Sequence, residues 1–211
     1  MSTSPKARTF FVALRISNPQ IYDCIKKIQD SIAAHDQNLK GRPLAKLHVT
    51  LMFMYLEGAE EIAKAERILL NQCKTALEPM FSKRPTTLRF KGLDHFSDAH
   101  PPVIYANLEQ EGRDFLKLVN KTVSEIFTKE GIPPKDSPEF IPHMTVMKSK
   151  RYNGEISNES YKSFVECCMG EQPLTKLTLH LCPANGETEA DGFYKSMATM
   201  TLGDPDETYS S

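Results

Sequence analysis

Two short phrases of the sequence place a threonine two residues after a histidine. HVTLM at 48–52 and HMTVM at 143–147 share the pattern His-x-Thr, followed by an aliphatic residue and a methionine. An imidazole titrates near neutral pH and can accept or donate a proton during a reaction. A hydroxyl donates hydrogen bonds to the oxygens of an anion. The repeated pair therefore indicates a site for acid–base chemistry on a phosphate ester.

The spacing of the two phrases indicates how these groups come together. Both phrases lie in segments typical of β-strands, where alternate side chains share a face about 6.5–7 Å apart. His48 and Thr50 then share one face, as do His143 and Thr145, while the intervening apolar residues point to the core. If the two strands lie side by side or are related by a pseudo-twofold axis, four polar groups converge on one concave surface.

These four residues predict a metal-independent cleavage of a phosphodiester. His48 and His143 are the candidate catalytic residues, one as the neutral base and the other as the imidazolium acid. Thr50 and Thr145 are the candidate phosphate-binding residues, because their hydroxyls can donate to the non-bridging oxygens. No cluster of carboxylates accompanies either phrase, so no metal and no other cofactor is expected. The residues alone do not distinguish the acid from the base.

Three further residues are candidates for substrate binding. Lys148 directly follows the second phrase and can approach a phosphate, although a solvated strand end explains it equally well. Phe11 and Tyr194 are candidates for stacking on a base, whereas most aromatic side chains of a domain lie in its core. Contacts to the substrate are thus expected from outside the two phrases as well.

The elements that position these residues alternate between strands and helices. Asn18 and Pro19 are typical of an N-cap and a first helical turn, and Gly131 with the prolines after it ends a later helix. Several neighbouring strands are joined too tightly for parallel crossovers, so the predicted class is α+β with mixed or antiparallel sheets. The periodicities predict strands at 9–16, 46–56, 86–96, 103–109, 140–148, 174–182 and 193–202, and helices around 21–32, 62–76, 113–129 and 160–168.

Composition excludes several classes of protein. The chain has 211 residues, with 26 Lys and Arg against 27 Asp and Glu, so a nucleic-acid contact must come from a local patch. No apolar run is long enough for a membrane span. Five scattered cysteines without a Cys-x-x-Cys spacing argue against a disulfide framework or a zinc site. They favour a reducing compartment, cytoplasmic or nuclear.

Over residues 8–202 the sequence resembles the 2H phosphoesterase superfamily, and within it the branch of the A-kinase anchoring protein 7 central domain. The resemblance implies a single domain at 8–202 with two lobes related by a pseudo-twofold axis around a central cleft. Flexible tails are expected at 1–7 and at 203–211, the latter because it is polar. The resemblance rests on the two phrases and on the text around them: FFVALRISNPQIYDCIKKIQDSI, KLHVTLMFMYL, LRFKGLDHF, FIPHMTVMKSK and LHLCPANGETEADGFYKS.

The resemblance also implies a function and a ligand. Members of the superfamily cleave 2′,5′-linked oligoadenylates, act on RNA 2′,3′-cyclic phosphates or trim RNA ends, and the anchoring-protein branch binds 5′-AMP. An oligonucleotide or nucleotide is therefore the expected ligand, and the chain is expected to be a monomer. The branch holds protein kinase A through a long helix after this domain, and residues 203–211 are too short and polar for that helix, so kinase anchoring is not expected.

Three functions stay open at this level. The first is a phosphodiesterase that acts on 2′,5′-oligoadenylate or short RNA. The second is a sensor that binds AMP or a cyclic nucleotide without turnover, with the same four residues as a phosphate clamp. The third is a scaffold that holds a partner through a basic surface or the cysteine-containing segment at 160–168. The linkage and the base that a substrate would carry are also left open.

Overall fold

The computed structural model describes residues 7–135 and 139–203. Except for one residue each, the tails predicted at 1–7 and 203–211 lie outside the described residues. Helices and strands follow one another in the order β1 (Arg8–Arg15), α1 (Pro19–His35), β2 (Leu39–Gly41), β3 (His48–Leu56), α2 (Gly58–Arg67), α3 (Lys74–Phe81), β4 (Thr87–Phe96), β5 (Val103–Leu108), α4 (Gln110–Lys129), β6 (His143–Ser149), β7 (Cys168–Pro173), β8 (Leu177–Pro183) and β9 (Ala198–Leu202).

All of these strands belong to one nine-stranded sheet. The strand order is β7-β4-β5-β6-β3-β1-β8-β9, and the short β2 pairs with β6 on the same edge as β3. Every strand pair among the described residues is antiparallel. The helices cover one face of the sheet and enclose the main apolar core with it. The predicted α+β class is therefore confirmed, with antiparallel pairing throughout.

The sheet divides into two halves of similar construction. In one half β1, α1 and β3 follow each other along the chain, and β1 pairs with β3. In the other half β5, α4 and β6 repeat this arrangement. The halves meet where β3 and the short β2 lie beside β6, and among the described residues Val49 with Met144 is the single register pair between β3 and β6. Because α1 packs on β6 and β7 while α4 packs on β3, each helix supports the other half.

Each His-x-Thr strand carries a bulge directly after its threonine. The pairing of β3 with β1 skips Leu51, and the pairing of β6 with β5 skips Val146 in the same way. A bulge adds one residue to one strand, so the side chains after it change faces. Lys148 accordingly lies on the half-buried face of His143 and Thr145, although strict alternation would place it on the core side.

The predicted helix at 160–168 is wrong. Two 3-10 turns, Asn158–Ser160 and Lys162–Phe164, stand in its place, and β7 follows them at the edge of the sheet. The apolar spacing in this segment also fits single turns, and Tyr161 is buried without a helix around it. The short β2 was not predicted either, because three residues carry no readable periodicity.

Other helix predictions hold with changed bounds. Asn18 caps α1, and its side-chain oxygen accepts from the N–H of Gln20 at 2.9 Å, with Pro19 in the first turn. The helix predicted around 62–76 is longer, because a π-helical turn at Ile68–Cys73 joins α2 to α3 without a break. Ile68, Leu69 and Cys73 of this turn are buried in the core.

Candidate active site

The four predicted side chains lie on one face of the sheet, at the seam between β3 and β6. Antiparallel pairing about the single joining pair sets His48 beside Thr145 and Thr50 beside His143. All four residues are half-buried, while the residues between them are buried in the core. In a regular ladder, the diagonal neighbours, here the two histidines, have Cβ atoms about 7 Å apart. A single phosphate group can therefore contact side chains of both strands.

The main chain holds both imidazoles in the same way. His48 Nδ1 lies 2.7 Å from the carbonyl oxygen of Lys46, and His143 Nδ1 lies 2.7 Å from that of Ile141. A carbonyl only accepts hydrogen bonds, so Nδ1 is the donor and carries the proton of each neutral ring. The lone pair of each ring is then on Nε2, for which the described chain offers no partner. Each Nε2 is thus available to take or give a proton.

The threonine hydroxyls are also available. Within residues 7–135 and 139–203, neither Thr50 nor Thr145 makes a hydrogen bond through its side chain. Both side chains are half-buried. A half-buried hydroxyl without a protein partner has its donor to offer to a ligand. The seam therefore presents two hydroxyl donors between two imidazoles.

The surroundings favour neutral imidazoles in the free protein. Burial is the main cause that lowers the pKa of His48 from 6.5 to about 4, against the opposing hydrogen bond to the main chain. The positive charges of Arg42 and Lys148 and of the second imidazole add to this effect. Burial, and after it Lys148, also lowers the pKa of His143. His48 is therefore a neutral base at pH 7.

Aromatic rings pack directly against His48. The ring of Phe11 stacks on the imidazole at a centroid distance of 5.2 Å, and that of Tyr194 meets it edge-on at 5.7 Å. These two candidates for base stacking are only 2% and 5% exposed, and their rings also meet each other edge-on at 5.0 Å, so little of either ring is open to a base. Phe53, 6.0 Å from Phe11 on the same face, is 42% exposed and was not predicted. It offers a base more surface than either candidate does.

His143 has aromatic neighbours of its own. Phe96 and Tyr105 stack on each other at 4.2 Å, and their centroids lie 5.0 and 5.2 Å from the imidazole of His143. The Tyr105 hydroxyl is hydrogen-bonded to Asp94, and burial is the main cause that raises the pKa of this phenol to about 12. The phenol thus stays neutral and donates to the carboxylate. Each imidazole lies against two rings, which restricts its rotation.

Arg42 belongs to the site although no motif points to it. It directly follows β2, where its N–H donates to the carbonyl of Val146 at 2.8 Å. Its guanidinium donates to the hydroxyl of Tyr194, and its charge lowers the pKa of both His48 and Lys148. A sequence signal existed, since the short run Lys-Gly-Arg-Pro precedes the first phrase. Three basic residues within positions 40–46, just before a catalytic candidate, are typical of an anion site.

The described residues contain no group of three or more histidine, cysteine or acidic side chains that could hold a metal ion. No helix among them has the length and apolar character to cross a membrane. The five cysteines at 24, 73, 167, 168 and 182 are all free thiols.

Two matching halves, each with a His-x-Thr strand at a common seam, define the class of the 2H phosphoesterases. A sequence model of one family in this class, described as the AKAP7 2′5′ RNA ligase-like domain, matches residues 8–202. The chain belongs to this family.

Curated relatives include a human anchoring protein and a bacterial phosphodiesterase. Human A-kinase anchor protein 7 isoform gamma is 28% identical over 204 residues, which cover 92% of this chain and 57% of that protein. An RNA 2′,3′-cyclic phosphodiesterase of Aquifex aeolicus is 30% identical over 134 residues, which cover 63% of this chain and 67% of that protein. The chain thus spans little more than half the length of the human relative.

Solved structures share the fold over nearly their whole length. The protein TT0787 of Thermus thermophilus has a TM-score of 0.57 at 23% identity, with 93% of this chain and 99% of that chain covered. Escherichia coli LigT complexed with ATP has a TM-score of 0.59 at 16% identity, with 94% and 100% covered. Kluyveromyces marxianus Usb1 with uridine monophosphate has a TM-score of 0.52 at 13% identity, with 93% and 98% covered.

Proposed function

We propose that this protein is a metal-independent phosphodiesterase that cleaves 2′,5′-linked oligoadenylates or short RNA. The observation that carries the proposal is the matched pair of imidazoles. Both are anchored through Nδ1 and both leave Nε2 unpaired, across a seam with two free hydroxyls. His48 and His143 are the catalytic residues, and Thr50 and Thr145 bind the phosphate. No cofactor takes part.

The reaction is an attack by a neighbouring hydroxyl on phosphorus. In a 2′,5′-linked substrate, the 3′-hydroxyl beside the linkage forms a bond to phosphorus while its proton passes to one Nε2. The bond from phosphorus to the 5′-oxygen breaks, and this oxygen takes the proton from the other Nε2. The products are a 2′,3′-cyclic phosphate and a free 5′-hydroxyl. One ring has gained a proton and the other has lost one, and exchange with water restores both.

His48 is the base and His143 is the acid in this scheme. A pKa of about 4 keeps His48 neutral and ready to accept the proton of the nucleophile. His143 lies closer to solvent, and its pKa, though lowered, carries no Coulomb contribution from Arg42. A bound phosphodiester raises the pKa of a nearby imidazole, because its negative charge favours the protonated form. The bound substrate thereby favours the protonated form of His143, which donates its proton to the leaving oxygen.

Other groups of the seam position the substrate. The hydroxyls of Thr50 and Thr145 donate to the non-bridging oxygens, whose charge grows as the nucleophile attacks. The exposed ring of Phe53 offers a stacking surface for a base near His48. Tyr194 stays a candidate for the same contact, chiefly through its edge beside Arg42.

The relatives support a phosphodiester substrate. One curated relative is named an RNA 2′,3′-cyclic phosphodiesterase, and solved structures with the same fold are described with ATP, 3′-AMP or uridine monophosphate. Such ligands combine a base with a phosphate. The aromatic rings of this seam can stack on the base, and its hydroxyls can donate to the phosphate. Cleavage of 2′,5′-oligoadenylate, a monomeric state and a cytoplasmic or nuclear location stay predictions.

Product analysis tests the proposed function. With EDTA present, 2′,5′-diadenylate is expected to give adenosine 2′,3′-cyclic phosphate and adenosine in equal early amounts, measured by liquid chromatography and mass spectrometry. An analogue whose attacking nucleotide lacks the 3′-hydroxyl should remain intact. The same assay with 3′,5′-diadenylate, in which the 2′-hydroxyl attacks, compares the two linkages. Activity that disappears in EDTA and returns with a divalent cation contradicts the proposal, as does cleavage of the deoxy analogue.

A nucleotide sensor is the alternative function. It is favoured by the lowered pKa of both His48 and His143, because both shifts disfavour the protonated acid that the enzymatic reaction needs. Calorimetry that shows saturable AMP binding, together with intact 2′,5′- and 3′,5′-diadenylates, would favour the sensor over the enzyme.

A further inference from the structure

Basic side chains gather at one end of the seam without acidic partners. Lys40, Arg42, Lys46 and Lys148 form this group, named here the basic corner. Among the described residues, none of the four forms an ion pair with a carboxylate. Most ion pairs among the described residues instead join lysines to acidic residues on exposed surfaces elsewhere. The basic corner is therefore a local positive patch on a chain with a net charge of −1.

The fold holds these charges close together. Lys40 in β2 is the register partner of Lys148 in β6. The guanidinium carbon of Arg42 and the Nζ of Lys46 lie 5.7 and 4.8 Å from the ring centroid of Tyr194. The hydroxyl of that ring also accepts a hydrogen bond from Arg42. Tyr194 therefore orients two cations that would otherwise repel each other.

The arrangement costs free energy unless an anion neutralises it. Lys148 is half-buried, and burial together with the charge of Arg42 lowers its pKa. The Nε atom of Arg42 is buried and has no hydrogen-bond partner in the described chain. Like charges taken out of water without a counter-charge are unfavourable, and a buried donor without a partner adds to the cost. A bound anion offsets the repulsion between the like charges.

The basic corner lies beside the two hydroxyls and not between them. Lys148 is the next side chain on the site face of β6 after Thr145, because of the bulge, and same-face neighbours on a strand are about 7 Å apart. Thr145 in turn lies beside His48 across the seam. The basic corner thus lies next to the phosphate site, on the side of His48. On this side His48, the proposed catalytic base, takes the proton of the attacking nucleotide.

We propose that Arg42 and Lys148 form a second anion subsite, which binds the 5′-phosphate of the nucleotide that supplies the attacking hydroxyl. Lys40 and Lys46 add to its positive potential. This inference rests on the proposed function and narrows its substrate class to oligonucleotides with a phosphate on each side of the attacking nucleotide. That phosphate is a terminal monoester in a 5′-phosphorylated dinucleotide and a diester inside a longer chain.

The ratio of two kcat/KM values tests the subsite. For the wild-type protein, 5′-phosphorylated 2′,5′-diadenylate should be cleaved with a kcat/KM about 10-fold or more above that of the 5′-hydroxyl form, because hydrogen bonds to charged groups stabilise by about 1.5–3 kcal/mol. Lys148→Met and Arg42→Met should each reduce this ratio towards one. The ratio is insensitive to the fraction of folded protein. 2′,5′-Triadenylate, cleaved at its second linkage, tests the internal diester in the same way.

The matched control is Lys121→Met. Lys121 lies on α4, on the helix side of the sheet, and is paired with Glu125 at 3.9 Å. This variant should keep the wild-type ratio. A wild-type ratio near one, or an unchanged ratio in both Lys148→Met and Arg42→Met, overturns the subsite while leaving the phosphodiesterase in place.

A binding measurement separates the subsite from the proposed function. The 3′-deoxy analogue of the diadenylate, with and without its 5′-phosphate, cannot react and is suited to calorimetry. Tighter binding of the phosphorylated analogue, lost in Lys148→Met, supports the subsite even if no substrate is cleaved, and in that case only the proposed function fails. Equal binding of both analogues overturns the subsite independently of any activity.

Discussion

Replacement of His48 by Asn is expected to lower kcat on 2′,5′-diadenylate by about 10²–10⁴-fold, with a much smaller change in KM. Asparagine can keep a hydrogen bond to the carbonyl of Lys46 but cannot take up the proton of the nucleophile. His143→Asn should cause a loss of the same order, because the leaving oxygen then departs without a proton. The double variant should be little worse than either single one, since the two rings act in one step. Steady-state kinetics in EDTA measure all three.

His180 provides the matched control. Its pKa is also lowered to about 4, chiefly by burial, but its Nδ1 lies 3.0 Å from the hydroxyl of Ser196, and it sits on β8, two strands away from β3. His180→Asn should therefore keep a kcat close to that of the wild type. If His48→Asn and His143→Asn both retain the wild-type kcat, the acid–base assignment is wrong. If His180→Asn falls as far as they do, the losses report on folding instead.

Replacement of Thr50 by Val is expected to lower kcat by about 10²-fold, the lower end of the loss seen when one donor to a developing oxyanion is removed. Thr145→Val should behave alike, because the two hydroxyls occupy equivalent positions in the two halves. Valine keeps the shape and the strand preference of threonine, so the core beneath is preserved. The measured quantities are kcat and KM together with the melting temperature of each variant.

A hydroxyl outside the seam is the control for these variants. Thr199 lies on β9, where its hydroxyl is 3.3 Å from Nδ1 of His180. Thr199→Val should change kcat by less than about 2-fold, as expected for a surface substitution away from the site. Wild-type kcat in both Thr50→Val and Thr145→Val would remove the hydroxyls from the reaction.

Much of the site can be read from the sequence, because it depends on local periodicity. Strand alternation is enough to put His48 with Thr50 and His143 with Thr145 on common faces, as the structure has them. The cap at Asn18 is equally local, since one side chain satisfies the backbone of the next turn. Adjacency of the two phrases is a hypothesis based on the repeat, because a twofold axis can bring different strands together, and the pairing of Val49 with Met144 confirms it.

What the sequence cannot provide depends on pairing between distant segments. The bulges after Thr50 and Thr145 exist only in relation to β1 and β5, and the position of Lys148 on the site face depends on the second of them. Arg42 reaches the site because β2 pairs with β6, a contact between residues over a hundred positions apart in the chain. A motif of three residues cannot predict this pairing of β2 with β6.

For the aromatic residues, too, the sequence predicts the type of contact, whereas exposure depends on the pairing of distant strands. Aromatic character marks Phe11 and Tyr194 as possible contacts of a base, but both rings are buried against His48 and against each other. Phe53 becomes exposed because the bulge in β3 reverses the faces of the residues after it. Exposure after a bulge depends on the register of the sheet, which the sequence of a single strand does not contain.

The central claim is that His48 and His143 meet the same phosphodiester. Nitrogen-15 NMR of the imidazole rings tests it most directly, with pKa values of both histidines measured in the free protein and with the unreactive 3′-deoxy diadenylate bound. In the free protein, His48 should titrate at about 4 and His143 below 6.5. The bound anion should raise both pKa values, and the rise should vanish for both when neutral adenosine replaces the analogue. A rise at only one ring, or at neither, would contradict the claim.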